Sequence, residues 1–228
     1  MEERLITGEL SKVLEDIRGL VIYRDILKLE PIKNLERILE GILEGPRSMS
    51  SLLGKYSEFL HSLILNKGDI LYGDISWAGW VLNRILLDEN PFSLGIERGD
   101  TPSSIILEAA KHDLKALKRI ALIPLDYLID MLKKDNKDYE IFNPVKMEDE
   151  SRFKNLLKDY GLKDWSLKSF MKYYKHKGTG CFSRYKGFYW DGQEFSPIKD
   201  TDPITLDGLV GYDRQKNILV ENTEKFLK

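Results

Sequence analysis

From Glu9 to about Tyr174 the apolar residues recur every three to four positions, the spacing that gathers them on one face of an α-helix. Leu10, Val13, Leu14 and Ile17 form the first stripe, and Leu35, Ile38, Leu39 and Ile42 the second. Leu52, Tyr56, Phe59, Leu60 and Leu63 follow, then Ile75, Gly79, Leu82 and Ile85. The pattern continues through Leu107, Ala110, Leu114 and Leu117, through Leu125, Leu128, Ile129 and Leu132, and ends on Phe153, Leu156 and Leu157. Glu30-Pro31, Gly45-Pro46, Asn90-Pro91 and Asn143-Pro144 interrupt the period, because the residue before a proline is pushed out of the helical region. Thr101-Pro102 reads as a helix start, with a hydroxyl to cap the first turn and a ring preset for it. Pro124, inside a long apolar pattern, predicts a new helix or a kink.

After Lys177 the texture changes to glycine and aromatics: Gly178, Thr179, Gly180, Cys181 and Phe182, then Tyr185, Phe188, Tyr189 and Trp190. Asp191-Gly192 favours a two-residue turn, which predicts a β-hairpin pairing Trp190 with Gln193 and setting Phe188 opposite Phe195. The polar run from Lys199 to Pro203 reads as a linker, and Asp213 to Phe226 as one helix with Ile218, Leu219 and Phe226 on its buried side. The expected fold is mainly α: a multi-helix array over 1–176, a small aromatic β-hairpin region over 177–199, and a linker plus helix over 200–228.

Composition narrows the function classes. A 42% hydrophobic content over 228 residues is ample for a sizeable core. The formal net charge of -2 gives the whole molecule no bias toward nucleic acid or an anionic membrane, so any such bias must be local. Met1-Glu2-Glu3-Arg4 opens no secretory signal, and no run reaches the ~20 apolar residues that span a bilayer. The one cysteine, Cys181, excludes an internal disulfide and fits a reducing compartment, so a cytoplasmic protein with no membrane partner is expected.

The linker runs into Ile204, Thr205, Leu206, Asp207, Gly208, Leu209, Val210, Gly211 and Tyr212, with Arg214 and Lys216 opening the helix. That order, an apolar residue, an Asp, a Val-Gly pair and a helix with a basic start, resembles the lead-in segment of AAA+ ATPases. With the upstream hairpin through Trp190-Asp191-Gly192, residues 178–228 are similar to an uncharacterised bacterial AAA+ ATPase family called domain of unknown function 815. The resemblance implies that Leu209, Val210, Gly211 and Tyr212 form the adenine-side wall of a nucleotide site, and that the helix leads to the first strand of the ATPase sheet. It further implies ATP and magnesium as ligands of the parent protein, a homo-oligomeric ring, and a phosphate loop beyond Lys228.

Hydrolysis needs a glycine loop and a lysine around the phosphates, and no Gly-x-x-x-x-Gly-Lys-Ser/Thr occurs in this sequence. The chain alone is therefore expected to bind no nucleotide and hydrolyse none. Gly54-Lys55 is followed by Tyr56 and has Met49 where the first glycine belongs, and Gly178-Thr179-Gly180 lacks the lysine and reads as a turn. Ile85, Leu86, Leu87, Asp88 and Glu89 imitate a magnesium-binding strand, yet they lie on a helical stripe that Asn90-Pro91 ends. His61, His112 and His176 belong to no spaced ligand set, so no metal site is expected. Cys181 and His176 lack the third group and oxyanion donor of a nucleophilic site.

One stretch has local charge. Lys163, Lys168, Lys172, Lys175, Lys177, Arg184 and Lys186 face a single acid, Asp164, and Tyr173, Tyr174, Phe182 and Tyr185 are interleaved with them. Cations for phosphate and rings for bases are what single-stranded nucleic acid recognition uses, which marks Lys172, Lys175, Lys177, Arg184, Lys186 and Tyr185 as candidates. The bland alternative places Trp165, Phe170 and the hairpin aromatics in the core, with the lysines solvating the other face. Together these features point to an accessory region that recruits a partner or substrate, or assists assembly, for an AAA+ ATPase. A nucleic-acid-binding module is the alternative.

Overall fold

The computed structural model describes residues 2–45, 51–65, 76–135, 141, 150–183, 185, 187–193, 195–198 and 204–226. Two compact units result, Met1–Arg184 and Tyr185–Lys228. The fold is mainly helical, with one two-stranded antiparallel hairpin followed by a helix.

In the first unit, α1 (Glu2–Arg18) buries Leu10, Val13, Leu14 and Ile17, and a 3-10 turn (Arg24–Lys28) leads to α2 (Glu30–Glu44), whose first turn holds Pro31. Gly45, at φ 92°, ends α2, which packs along α3 (Leu52–Leu65). Gly54-Lys55 is thus helical and forms no phosphate loop. The Ser76 hydroxyl caps α4 (Trp77–Leu87) by accepting from Gly79 N at 3.1 Å. α5 (Pro91–Arg98) opens on a reciprocal capping box between Asn90 and Ser93 and stops at Gly99 in the left-handed region. Asp88 and Glu89 sit between these two helices and not on a strand, as the helical stripe predicts.

α6 (Ser104–Ala121) is the central element, packing on α1, α4, α5 and α9 (Leu167–Lys177). It begins at Ser104 with Ser103 as cap residue, so Thr101 is not the cap that Thr101-Pro102 suggests. Pro124 separates α6 from α7 (Leu125–Asp135), as expected of a ring without an amide hydrogen. α8 (Glu150–Asp159) precedes α9, and the Asn143-Pro144 break lies outside the described residues. Indole N–H groups fix neighbours to α6: Trp77 Nε1 donates to Ile120 O and Trp165 Nε1 to Leu114 O, each at 2.7 Å. Trp77 also stacks on Trp80, with ring centroids 5.3 Å apart.

The core also holds buried polar groups. Asp113 on α6 is fully buried, and its carboxylate accepts the backbone N–H of Val21, Ile22 and Tyr23 at 2.7–3.0 Å, joining the end of α1 to α6. Arg119 holds Asp16 with two contacts of 2.5 Å. The Tyr23 and Tyr174 hydroxyls lie 3.2 Å apart, and Tyr174 donates to Ile85 O at 2.7 Å. Burial raises both phenols above their ordinary pKa.

In the second unit β1 (Phe188–Trp190) pairs with β2 (Phe195–Pro197). The register corrects the two-residue turn: Trp190 faces Phe195 and Phe188 faces Pro197, so the loop spans positions 191–194. The Asp191 carboxylate accepts Gln193 N at 2.8 Å, and Gly192 takes φ 103°, which turns the chain within a longer loop. The Trp190 and Phe195 rings, now directly opposite, meet at 4.9 Å across the strands, where the shorter turn would make them diagonal neighbours. Tyr189, Trp190 and Phe195 are exposed, so the hairpin aromatics are not the core expected of them. A 3-10 turn (Leu206–Gly208) leads to α10 (Asp213–Phe226), which has the expected bounds but buries no residue: Ile218, Leu219 and Phe226 are all exposed.

Candidate functional site

α9 starts where the Ser166 hydroxyl accepts Ser169 N at 3.2 Å, and the loop before it is tied back because Lys163 N donates to Ser169 Oγ at 3.0 Å. Ser166 also bonds Asp164. Between this loop and α9 lies a cleft of about 710 Å3. Lys168, Lys172 and His176 follow one another along its helical wall, each four residues after the last and so roughly 6 Å apart. Lys163 lies on the loop side, and Tyr173 and Lys177 complete the lining that concerns charge and stacking. Tyr173 is half-buried and held edge-on against Tyr174 at 5.8 Å. Asp164 is the one acid among the described residues of the lining.

A second feature lies in the other unit. Gly211 and Tyr212 have consecutive positive φ values of 82° and 62°, and Tyr212 is the one non-glycine residue with positive φ among the described residues. Lys216 fastens this bend to the first turn of α10: its N–H donates to Tyr212 O at 2.9 Å and its Nζ to Leu209 O at 2.7 Å. Val210 at the crest is 95% exposed and Tyr212 70%.

Residues 183–228 match the family described as Protein of unknown function (DUF815). The match takes in the hairpin, the Leu209–Tyr212 bend and α10, and excludes the α9 cleft. Neither a curated protein nor a solved structure matches the chain.

The DUF815-matched region therefore contains four of the residues marked from sequence, Leu209, Val210, Gly211 and Tyr212, on one short bend. The basic candidates are divided. Lys172, Lys175 and Lys177 are exposed on α9, Tyr185 is half-buried in the second unit against Phe188, and Arg184 and Lys186 lie outside the described residues. Tyr174 and Phe170 are core residues, as the bland alternative has it for Phe170, and Trp165 is half-buried. The cleft adds Lys163, Lys168 and Tyr173, which the sequence placed in the basic aromatic stretch without marking them, and His176, for which the available signal was its four-residue spacing from Lys168 and Lys172.

Gly178-Thr179-Gly180 forms an anion-receiving turn that the protein fills itself. Gly178 and Gly180 have φ 77° and 67°, and Thr179 N donates to Glu97 Oε2 at 3.2 Å. Glu89 packs so close to Gly180 that a Cβ there would lie 2.0 Å from its Oε1. Two carboxylates at this turn would repel phosphate. Among the described residues no group of His, Cys, Asp and Glu is arranged to hold a metal ion, and no helix is long and apolar enough to cross a membrane.

Proposed function

We propose that this chain is the N-terminal accessory region of a bacterial, cytoplasmic AAA+ ATPase that assembles as a homo-oligomeric ring. The helical unit recruits a partner or substrate or assists assembly, and residues 204–226 lead into the nucleotide-binding domain. The observation that carries the reading is the Gly211-Tyr212 bend. A left-handed tyrosine costs roughly 1–2 kcal/mol, and such strain is kept where a function needs the backbone's shape. Here it presents Val210 and Tyr212 outward, and α10 behind it leaves Ile218, Leu219 and Phe226 exposed. Apolar positions on both elements support a role in covering another surface, which in this reading is the ATPase domain and the adenine bound to it.

ATP with magnesium is the ligand implied for the whole enzyme. The bend fits one side of a base, with main chain to meet its edge and apolar side chains to cover its face. The phosphates find no counterpart among the described residues, since Gly54-Lys55 is inside α3 and the Gly178–Gly180 turn is closed by Glu97 and Glu89. We accordingly assign no hydrolysis to residues 1–228.

The test is titration of a fluorescent ATP analogue into the polypeptide that carries this region together with its nucleotide-binding domain, in native form and as Val210→Asp. The reading expects binding that weakens at least tenfold in the variant. Hydrolysis by residues 1–228 alone, or native affinity in the variant, would sink it.

A further inference from the structure

Lys163, Lys168, Lys172 and Lys177 line the α9 cleft against one carboxylate among the described residues, Asp164, and Lys175 is exposed on the same helix. Among the described residues none of these lysines is held in an ion pair. Other cations of this unit are of both kinds, Arg119, Lys33 and Arg18 paired with Asp16, Glu30 and Glu36, and Lys12 and Lys118 exposed without an ion pair among the described residues; the cleft differs in bringing four lysines into one lining. A set of like charges without counter-charges stores mutual repulsion that an anion removes. The cleft's volume is in the range of ligand-sized sites, larger than one phosphate needs.

The kind of anion follows from the donors. Phosphopeptides and acidic peptides are typically gripped by the flat, two-pronged guanidinium of arginine, and the described lining of this cleft contains none. Lysine is a point charge on a flexible stem, suited to following a backbone whose phosphates repeat at intervals. Lys168, Lys172 and His176 repeat at one-turn intervals of roughly 6 Å, comparable to the step of an extended single strand. Tyr173, held by its edge contact with Tyr174, gives a ring beside that row on which a base can stack.

We propose that the α9 cleft binds the phosphate backbone of a single-stranded nucleic acid, with Lys168 and Lys172 on successive phosphates, Lys163 meeting a phosphate from the loop side and Tyr173 under a base. This goes beyond the accessory role proposed above and does not rest on it. The site is confined to the first unit and needs neither Tyr185 nor positions 184 and 186. Recognition is tolerant of sequence, because no Arg, Asn or Gln stands among the described residues of the lining for two-pronged contact with a base edge.

The test is fluorescence anisotropy with a labelled oligothymidylate of about 20 nucleotides at about 50 mM and about 200 mM salt. Neutralising about three phosphates gives a log–log salt slope near -2, so affinity should fall roughly 15- to 20-fold between the two conditions. Lys168→Gln/Lys172→Gln should weaken binding at least tenfold at low salt and make the slope shallower by about 1.4, whereas Lys12→Gln/Lys118→Gln, on other helices, should leave both unchanged. Tyr173→Leu should cost at least about fivefold with the slope preserved. Circular dichroism establishes that each variant is folded. No binding at low salt, equal binding by the Lys168/Lys172 variant, or equal competition by polyglutamate overturns the proposal.

Discussion

Asp113 Oδ2 accepts the backbone N–H of Tyr23 at 3.0 Å across 90 positions of sequence, while the same carboxylate also holds Val21 and Ile22. Without it the N–H groups of half-buried Ile22 and buried Tyr23 would lose their partner, while Val21 is exposed, and a carboxylate can take all three. Asp113→Ala should therefore cost about 3 kcal/mol and Asp113→Asn, whose amide presents hydrogens toward those N–H groups, about 2 kcal/mol in urea unfolding. A loss under about 0.5 kcal/mol for both would show that water replaces the carboxylate.

Gly180 distinguishes two sources of constraint. Its φ of 67° opposes any side chain, and the atom nearest a new Cβ is the mobile end of Glu89. The side chain can rotate away and the backbone cannot. Gly180→Ala should lose about 1–2 kcal/mol, and most of that loss should persist when Glu89→Ala is added. Full recovery in the double variant would show that the carboxylate alone was limiting.

Much of the helical unit was legible from spacing, because burial on a helix repeats locally: Leu10, Val13, Leu14 and Ile17 share a stripe and a core, and Asn90-Pro91 breaks the helical period where α4 ends, while the cap that Asn90 supplies to α5 was not read. Asp113 was not legible, since a carboxylate on a helix looks like any surface acid until a loop 90 positions away turns its amides to it. The hairpin was legible as a hairpin and misread in register, because Asp191-Gly192 favours a two-residue turn but also serves a longer loop, where the Asp191 carboxylate accepts Gln193 N and Gly192 takes a positive φ. α10 shows the limit in another form: its apolar residues predict a buried face, and in this unit Ile218 and Leu219 remain exposed. Of the candidate sites, the Leu209–Tyr212 bend was marked in full, while the cleft needed the fold to separate the α9 lysines from Tyr185.

Asp88 makes stability depend on pH. Burial raises its pKa from 3.8 to about 6, against a hydrogen bond from Asn90 Nδ2 at 2.7 Å that lowers it. A carboxyl with a raised folded pKa is protonated more readily in the native state, so its contribution is fully present below about pH 3.8 and lost as pH rises through about 6. Over that window the native protein should lose about 3 kcal/mol from this group. Asp88→Asn, which can keep its place beside Asn90, should flatten the dependence in denaturant midpoints recorded from pH 4 to pH 7. An unchanged slope would place the titrating group elsewhere.

Tyr212 gives a local test of strain. Replacing it by glycine relieves the left-handed conformation at φ 62° and also loosens the unfolded chain, so the net effect on α10 should be a gain of up to about 1 kcal/mol. Helix protection over 213–226, read by hydrogen exchange, should rise up to about fivefold; a fall would show that the phenol ring contributes more than the strain costs.

The central claim is that the Gly211-Tyr212 bend and α10 belong against a nucleotide-binding domain. Hydrogen–deuterium exchange over residues 204–226 tests it directly, comparing residues 1–228 alone with the polypeptide that includes that domain, with and without ATP and magnesium. The account predicts rapid exchange along α10 in the isolated region, strong protection in the longer polypeptide, and added protection at 209–212 when nucleotide is present. Equal exchange in all three states would contradict it.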